Sequence, residues 1–212
     1  MNILLIGPGY VGSALIKALS SHHVTSTNLR TRPASLFENQ DLVIVTPKTP
    51  VKTNLPLIAI SSTACYKDAG GAFVKEEDAP PTEYEQEMLL NPQACIFRLS
   101  EIYGPGREIA NRFKEKTVFP GSGENPTNMI HLDDIVGAIL FAITHSLKGI
   151  YNLTDDDHMT RRELYTLFQN VTFDPTTTPR FGGNRKVSNE KIKKAGYVFK
   201  HPHRVLSDRQ PT

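Results

Sequence analysis

The stretch "NILLIGPGYVG", residues 2–12, decides the fold that the sequence predicts. Residues 2–6 form a short continuous apolar run, which is typical of a strand buried on both faces of a sheet. Three glycines in the pattern GxGxxG follow at once, and over residues 10–20 the apolar residues recur at helical spacing. A strand, a glycine turn and a helix in this order predict the start of a Rossmann-type sheet.

Each glycine of this loop has an expected task in dinucleotide binding. The first permits a tight turn, the second removes a side chain where a pyrophosphate would approach the backbone, and the third lets helix and strand pack closely. The helix N-terminus adds N–H groups and the positive end of a dipole. A purely structural turn is the alternative interpretation. The predicted cofactor contacts of the loop are Gly7, Gly9, Tyr10, Val11 and Gly12.

The end of the second strand-like run, residues 24–29, favours NADP over NAD. An acidic residue there would bind the ribose 2′-hydroxyl, whereas arginines would pair with a 2′-phosphate. The chain has Asn28, Arg30 and Arg32 in this region and no Asp or Glu between residues 24 and 33. Guanidinium groups bind phosphate oxygens in a bidentate manner. NADP is therefore the preferred cofactor, with NAD as the alternative and plain solvated arginines as the structural explanation.

Further apolar runs alternate with helical segments, which predicts an α/β fold. The alternation indicates a doubly wound parallel sheet of about six strands with helices on both faces. The second half is more helical and polar, so we expect a Rossmann core over residues 1–106 and a small C-terminal substrate lobe over residues 107–212. The lobe is expected to return one strand, 149–154, to the sheet. The remaining strand-like runs are residues 41–47, 57–62 and 95–100.

Two later helices carry terminal signals. Residues 132–146 are amphipathic, with Asp133 and Asp134 in the first turn, where the helix dipole favours negative charge. Thr160 and Glu163 have the spacing of a capping box and predict a helix that begins after Thr160.

Short connections indicate a reduced sheet. Only residues 30–40 separate the second and third strand-like runs, and only eight residues lie between Pro47 and Pro56. A helical crossover between parallel strands takes about a dozen residues or more. We therefore expect an extended loop after Pro47 and a small sheet. One face of such a sheet would be thinly covered and could pack against a second copy of the chain, so a homodimer is one expectation.

Further motifs stand in order behind the glycine loop: "ISSTACYKDAGG" (60–71), "FRLSEIYGPGR" (97–107) and "NMIHLDDIVGAI" (128–139). With these motifs, residues 1–204 of the chain resemble the atypical branch of the extended, epimerase/dehydratase-like short-chain dehydrogenase/reductases. The resemblance implies a Rossmann sheet that carries NAD(P) across the carboxyl ends of its strands. It also implies a C-terminal lobe that closes over a small-molecule substrate, with hydride transfer on a carbonyl or sugar-like group.

The resemblance also implies roles for particular residues. Thr46 and Pro47 end the strand that flanks the adenosine ribose, and Ser61 joins the cofactor contacts. Ser62 takes the place of the hydroxyl that orients the reacting oxygen of the substrate. Residues 103–106 fall beside the nicotinamide. Structural rather than catalytic roles are implied for Arg98, His131 and Asp134.

The proton-transfer pair of that family is incomplete in this chain. A tyrosine at position 84 would need a lysine four residues later, and that position is Met88, which has no charge and donates no hydrogen bond. Glu85 and Glu87 would raise the pKa of a phenol rather than lower it. Tyr84 is therefore predicted to be a helix or surface residue. A non-catalytic dinucleotide-binding protein, such as a redox sensor or an interaction module, stays open as the alternative to an enzyme.

A substitute catalytic group is conceivable at the end of the fourth strand-like run. Tyr66 and Lys67 follow Ser62 closely, and a Ser–Tyr pair with an added lysine could polarise a carbonyl. Tyr103 is a lesser candidate. The catalytic prediction is therefore Ser62, Tyr66 and Lys67.

Composition argues against several other classes. The chain has 212 residues, of which 39% are hydrophobic and 22% charged, as in ordinary globular proteins. A net charge of +2 gives no reason to expect nucleic acid or a membrane surface as a partner. Cys65 and Cys95 lie in apolar runs and indicate buried thiols in a reduced, cytoplasmic protein. Neither a metal-ligand histidine spacing nor a GxSxG nucleophile motif is present.

Overall fold

The computed structural model describes residues 1–28, 34–112, 116–178 and 183–204. The strands are β1 (Asn2–Ile6), β2 (His23–Thr27), β3 (Leu42–Val45), β4 (Leu57–Ser62), β5 (Phe73–Val74), β6 (Ala94–Leu99), β7 (Glu101–Tyr103), β8 (Val118–Pro120), β9 (Met129–His131), β10 (Gly149–Leu153), β11 (Thr172–Asp174) and β12 (Lys186–Val187). The α-helices are α1 (Tyr10–Ala18), α2 (Glu83–Leu89), α3 (Leu132–His145), α4 (Arg161–Thr166) and α5 (Glu190–Lys194). None of the helices in these ranges has the length and apolar composition that a membrane crossing requires.

The predicted α/β class with a parallel sheet of six strands is confirmed. The strand order is β10-β6-β4-β3-β1-β2, and every neighbouring pair runs parallel. Within the described ranges no strand pairs beyond β2, so β2 forms one edge of the sheet. The connection from β3 to β4 is an extended loop without a helix, as the short spacing predicted. Strand β10 lies beside β6, so the second half of the chain contributes to the sheet.

Alternating side chains of the central strands build two apolar layers. In β4, Ile58 and Ile60 face helices α1 and α3, whereas Leu57 and Ala59 face the side of α2. Met88 of α2 is fully buried in this second layer, and its Sδ accepts a hydrogen bond of 3.4 Å from the backbone N–H of Val51. Position 88, where the resemblance implies a catalytic lysine, therefore belongs to the core.

Helix α3 ties the C-terminal tail to the sheet. His131 caps the helix, since its Nδ1 accepts a hydrogen bond from the backbone N–H of Asp133 at 3.1 Å. The buried carboxylate of Asp134 accepts from the backbone N–H of Lys200 at 2.6 Å and from that of His201 at 3.0 Å. These contacts give His131 and Asp134 the anchoring geometry that the resemblance implies.

A smaller cluster in the second half packs β8, β11 and α4 around Phe119 and Leu164. Helix α4 begins with the expected capping box, because Thr160 accepts from the N–H of Glu163 and the Glu163 carboxylate accepts from the N–H of Thr160. Helix α3 and β10, in contrast, pack into the main core. The division of the chain at residue 106 stays a prediction.

Candidate dinucleotide and substrate site

Parallel strands bring the predicted site residues to one edge of the sheet. The carboxyl ends of β1, β3 and β4 lead into the glycine loop, Thr46 and the turn after Ser62. β1 lies between β2 and β3, so the direction in which the sheet grows reverses beside it. Such a reversal opens a crevice at the carboxyl edge, where α/β sheets bind their ligands.

Two glycines of the loop are required by packing. Gly7 has a φ of +92°, and a Cβ there would lie 2.6 Å from Thr46 Oγ1. A Cβ on Gly12 would lie 2.3 Å from the carbonyl oxygen of Gly7, so only glycine lets α1 start this close to the turn. The turn is also held by Thr46, whose Oγ1 donates to the Gly7 oxygen at 2.5 Å. Gly7, Gly12 and Thr46 together form a rigid turn at the start of α1.

Gly9 differs from its neighbours because the fold does not require it. A Cβ on Gly9 would meet no atom within 4 Å, and the residue has an ordinary extended backbone with a φ of −81°. It occupies the N-cap of α1 without any side-chain cap. The missing side chain therefore leaves open space at a helix N-terminus, which is the environment that a phosphate group needs. This geometry fits the pyrophosphate of a dinucleotide.

The loop of residues 103–106 packs against the start of α1. The hydroxyl of Tyr10 donates to the carbonyl oxygen of Pro105 at 2.9 Å, and the Arg107 guanidinium lies 4.3 Å from the centre of the Tyr10 ring. Gly104 has a φ of +140°, and a Cβ there would approach the Tyr10 hydroxyl to 3.3 Å. The segment that the resemblance implies beside the nicotinamide thus meets the glycine loop.

The residues predicted to choose between NADP and NAD are only partly described. Asn28 is exposed and follows β2 directly, at the same carboxyl edge as the glycine loop. Arg30 and Arg32 lie outside the described residues. Pro47 follows β3 beside Gly7, and its carbonyl oxygen accepts a hydrogen bond of 3.4 Å from Tyr84.

A cavity of about 680 Å³ opens next to this edge, between the ends of β4 and β6 and the small cluster of the second half. The volume lies within the range of about 300–1,000 Å³ that small-molecule sites occupy. Ser62 lines it, as do Ser100 and Glu101 from the turn after β6. Arg161 and Arg185 also line it. The cavity therefore combines one predicted catalytic residue with groups from distant parts of the chain.

Adjacent serines at the end of β4 point to opposite faces. Ser62 Oγ accepts a hydrogen bond from the N–H of Ala64 at 3.1 Å, and an oxygen that accepts in this way still has an O–H to donate. Ser61 is only 4% exposed, and its hydroxyl hydrogen-bonds to the buried carboxylate of Glu85. Ser62 is thus placed to contact a ligand in the cavity. Ser61 belongs to a buried network, and its contact with a cofactor stays a prediction.

That network is centred on Arg98, whose side chain is fully buried together with that of Glu85. Arg98 donates to the two Glu85 oxygens at 3.0 and 2.9 Å and to the Tyr66 oxygen at 3.0 Å. Tyr66 in turn donates to Asn152 Oδ1 at 2.7 Å. Helix α2, the loop after β4 and strand β10 are therefore cross-linked through one guanidinium, which agrees with the structural role that the resemblance implies for Arg98.

Tyr66 and Lys67 are not brought to the cavity with Ser62. Tyr66 is 3% exposed, and its hydroxyl is held between Arg98 and Asn152. Burial raises the pKa of Tyr66 to about 12 despite the hydrogen bond from Arg98, so its proton is held firmly. Lys67 is exposed and does not line the cavity. A catalytic role for these two residues stays a prediction, and the geometry supports a structural one for Tyr66.

We expect Tyr66→Phe to lower the free energy of unfolding by about 1–3 kcal/mol, because Asn152 Oδ1 would lose its buried donor. Urea denaturation followed by circular dichroism measures this change. Lys67→Met, at an exposed position, is the matched control and should leave stability nearly unchanged. A Tyr66→Phe variant with unchanged stability but abolished turnover would instead support the catalytic prediction.

Sequence reasoning missed several residues of the cavity wall. Arg161 lies within the segment of the predicted capping box but was given no role of its own, and neither were Arg185, Ser100 and Lys116. These residues lie far apart in the chain and belong to no common motif. Their side chains meet only where the turns after β4 and β6 face the second half of the chain.

Comparison with known proteins agrees with this architecture. No family model matches the chain. Two curated relatives, both called Protein YeeZ, from Escherichia coli strain K12 and from Escherichia coli O157:H7, are each 32% identical to it over 120 residues. The match covers 51% of this chain and 43% of each relative, so the chain matches less than half of their length.

Solved structures match over nearly the whole chain. A functionally unknown conserved protein from Silicibacter pomeroyi has a TM-score of 0.74 at 20% identity and covers 95% of this chain and 94% of its own. The UDP-glucuronic acid 4-epimerase from Bacillus cereus in complex with NAD has a TM-score of 0.73 at 16% identity, with coverages of 99% and 94%. The human epimerase family protein SDR39U1 with NADPH has a TM-score of 0.70 at 15% identity, and 96% of each chain is covered. The resemblance predicted from the sequence is thus confirmed at the level of the fold, and the chain shares the Rossmann-type fold of epimerases and epimerase-like proteins.

Proposed function

We propose that this protein binds a nicotinamide dinucleotide, with NADP preferred over NAD, and uses it in hydride transfer on a carbonyl or sugar-like substrate. The single observation that carries the proposal is the glycine loop. Gly7 and Gly12 are demanded by close packing, whereas at Gly9 the fold leaves open space at the N-terminus of α1. A glycine that folding does not need is explained by a ligand that needs the space. Proteins of the same fold are described in complex with NAD or NADPH.

The chain's own residues suggest how such a complex would be arranged. The bound dinucleotide supplies the hydride donor or acceptor. The rigid turn of Gly7, Thr46 and Gly12 presents the N-terminus of α1 to the pyrophosphate, and Tyr10 seats the loop of residues 103–106 beside it. Ser62 donates its O–H to the reacting oxygen of a substrate in the cavity and orients it.

We further propose that the protein works in the cytoplasm on a small molecule and can pair as a homodimer. Both cysteines are free thiols, in keeping with a reducing compartment. Leu90, directly after the short helix α2, is 77% exposed and offers an apolar side chain to a second copy of the chain.

The cofactor preference is tested by titrating the protein into NADPH and, separately, into NADH while cofactor fluorescence is followed. We expect NADPH to bind more tightly. Arg30→Ala combined with Arg32→Ala should weaken NADPH binding about tenfold or more, because charge-assisted bonds to the 2′-phosphate are lost. NADH lacks that phosphate, so its affinity should stay nearly constant.

If the double variant bound NADPH as tightly as the unaltered chain does, the preference for NADP would be contradicted. Absence of binding of both cofactors to the unaltered chain would refute the proposed function. Binding without turnover of carbonyl compounds would leave a non-catalytic dinucleotide-binding protein.

A further inference from the structure

The cavity beside Ser62 has an unbalanced set of charges. Its lining includes three cationic side chains, Lys116, Arg161 and Arg185, and one carboxylate, that of Glu101. In the described part of the chain, no carboxylate lies within the 4.0 Å of an ion pair to Arg161 or Arg185. The neighbouring Arg162, in contrast, pairs with Glu124 at 2.8 Å outside the cavity. Neither arginine of the cavity therefore forms the close ion pair with a described carboxylate that partly buried guanidinium groups usually have.

Arg185 is held in place by neutral groups. One of its terminal nitrogens donates to the carbonyl oxygen of Thr63 at 3.1 Å, and its guanidinium packs over Gly183, where a Cβ would leave no room. Its Nε–H is buried without an acceptor in the described residues. Burial lowers the pKa of Arg185, which reflects the cost of keeping this charge partly out of water. The charge of the Asp68 carboxylate offsets part of this cost, but Asp68 forms no ion pair with Arg185, so the guanidinium still has N–H groups to offer an anionic ligand.

Arg161 reaches the cavity from the start of α4. Its Nη1 donates to the carbonyl oxygen of Pro120 at 3.1 Å, and its guanidinium lies 5.5 Å from the centre of the Tyr165 ring. These contacts fix the orientation of the group without neutralising its charge. Ser100, only 5% exposed, also lines the cavity, and its hydroxyl has no hydrogen-bond partner in the described residues.

Apolar side chains form another part of the lining. They belong to Leu99, Ile109, Phe119, Pro126, Met129 and Leu164. A ligand that fills the cavity therefore meets positive charge in one part and apolar surface in another. This pattern suits a compact molecule with one anionic group rather than a uniformly charged one.

We propose that the cavity binds its substrate through a carboxylate or phosphate group held by Arg161 and Arg185. The inference rests on the proposed function in that the ligand is the substrate of the same site, with its reacting oxygen at Ser62. Guanidinium groups bind either oxyanion through paired N–H donors. Lys116 adds a third positive charge at the exposed side. The substrate class is thus a carbonyl or hydroxyl compound that is also an acid or a phosphate ester.

Isothermal titration calorimetry with malonate and with inorganic phosphate, at constant ionic strength maintained with sodium chloride, tests this proposal. We expect saturable binding of at least one of the two anions, and the stronger one identifies the favoured oxyanion. Arg161→Gln and Arg185→Gln should each raise the dissociation constant of that anion about tenfold or more. Arg162→Gln is the matched control, adjacent on the same helix, and should change it less than about twofold. Two variants are used so that loss of the Arg185–Thr63 bond alone does not decide the result.

The absence of saturable binding of both anions, or equal weakening by Arg162→Gln, overturns the proposal. Repeating the anion titration with the Gly9→Val variant, which is expected to bind NADPH poorly, separates anion binding from cofactor binding. Anion binding that depends on Arg161 but survives in a chain unable to bind NADPH supports the proposal even if the proposed function fails. NADPH binding without any anion binding refutes the oxyanion site and leaves the proposed function standing.

Discussion

Replacing Gly9 by valine is expected to remove most of the affinity for NADPH while the protein stays folded. The structure provides open space for the new side chain, because a Cβ there meets no atom within 4 Å and the φ of −81° suits any residue. Loss of close approach between the α1 N-terminus and a pyrophosphate removes hydrogen bonds to a charged group, each worth about 1.5–3 kcal/mol. The dissociation constant should therefore rise about 10- to 150-fold.

The measurement is a fluorescence titration with NADPH, accompanied by urea denaturation of the same preparation. The free energy of unfolding should fall by less than about 1 kcal/mol, the usual cost of a poorer N-cap. Gly12→Ala is the comparison variant: its Cβ would lie 2.3 Å from the Gly7 oxygen, and we expect a loss of stability of about 1–3 kcal/mol or more. NADPH binding that is unchanged in Gly9→Val would show that the loop has only a structural role.

Replacing Arg98 by methionine is expected to destabilise the protein by about 3–5 kcal/mol. The side chains of Arg98 and Glu85 are both 0% exposed, so the substitution leaves a buried carboxylate without its counter-ion. It also removes the donor to Tyr66. The loss is a large part of the total stability of about 5–15 kcal/mol that is usual for a domain. Urea denaturation at neutral pH measures it.

A second substitution shows whether the unpaired Glu85 carboxylate causes the loss of stability. Glu85→Gln in the Arg98→Met background removes that charge and should restore part of the lost stability. The exposed pair of Arg162 and Glu124 is the control, and Arg162→Met should cost no more than about 1 kcal/mol. A loss below about 1 kcal/mol in Arg98→Met would contradict the role of this pair as a cross-link.

The same pair predicts a dependence on pH. Burial alone would raise the pKa of Glu85, but hydrogen bonds from Arg98, Ser61 and the Thr82 backbone lower it below its usual value. A lowered pKa in the folded state contributes stability above the unfolded pKa, and this contribution is lost as the pH falls through the folded pKa. The difference in stability between the unaltered chain and Arg98→Met should therefore shrink under acidic conditions.

Local patterns in the sequence were sufficient to predict the frame of the site. The apolar run of β1, the glycine spacing and the change to helical period at Tyr10 all concern neighbouring residues, and the structure places each element where the pattern indicated. The loop after Pro47 followed from the length of the connection alone. The substitution of Met88 for a lysine was visible in the sequence, but its burial in the second apolar layer was not.

The sequence by itself determined the class of fold, the parallel sheet and the position of the glycine loop, because periodicity records which side of each element is buried. Only the tertiary structure decided that Ser61 joins Glu85 while Ser62 faces the cavity, and that the Tyr66 hydroxyl is buried between Arg98 and Asn152. It alone brought Arg161 and Arg185 to the same cavity. The physical reason is that a cavity is formed by side chains distant in the chain, whose approach depends on how the elements pack and is recorded in no local pattern.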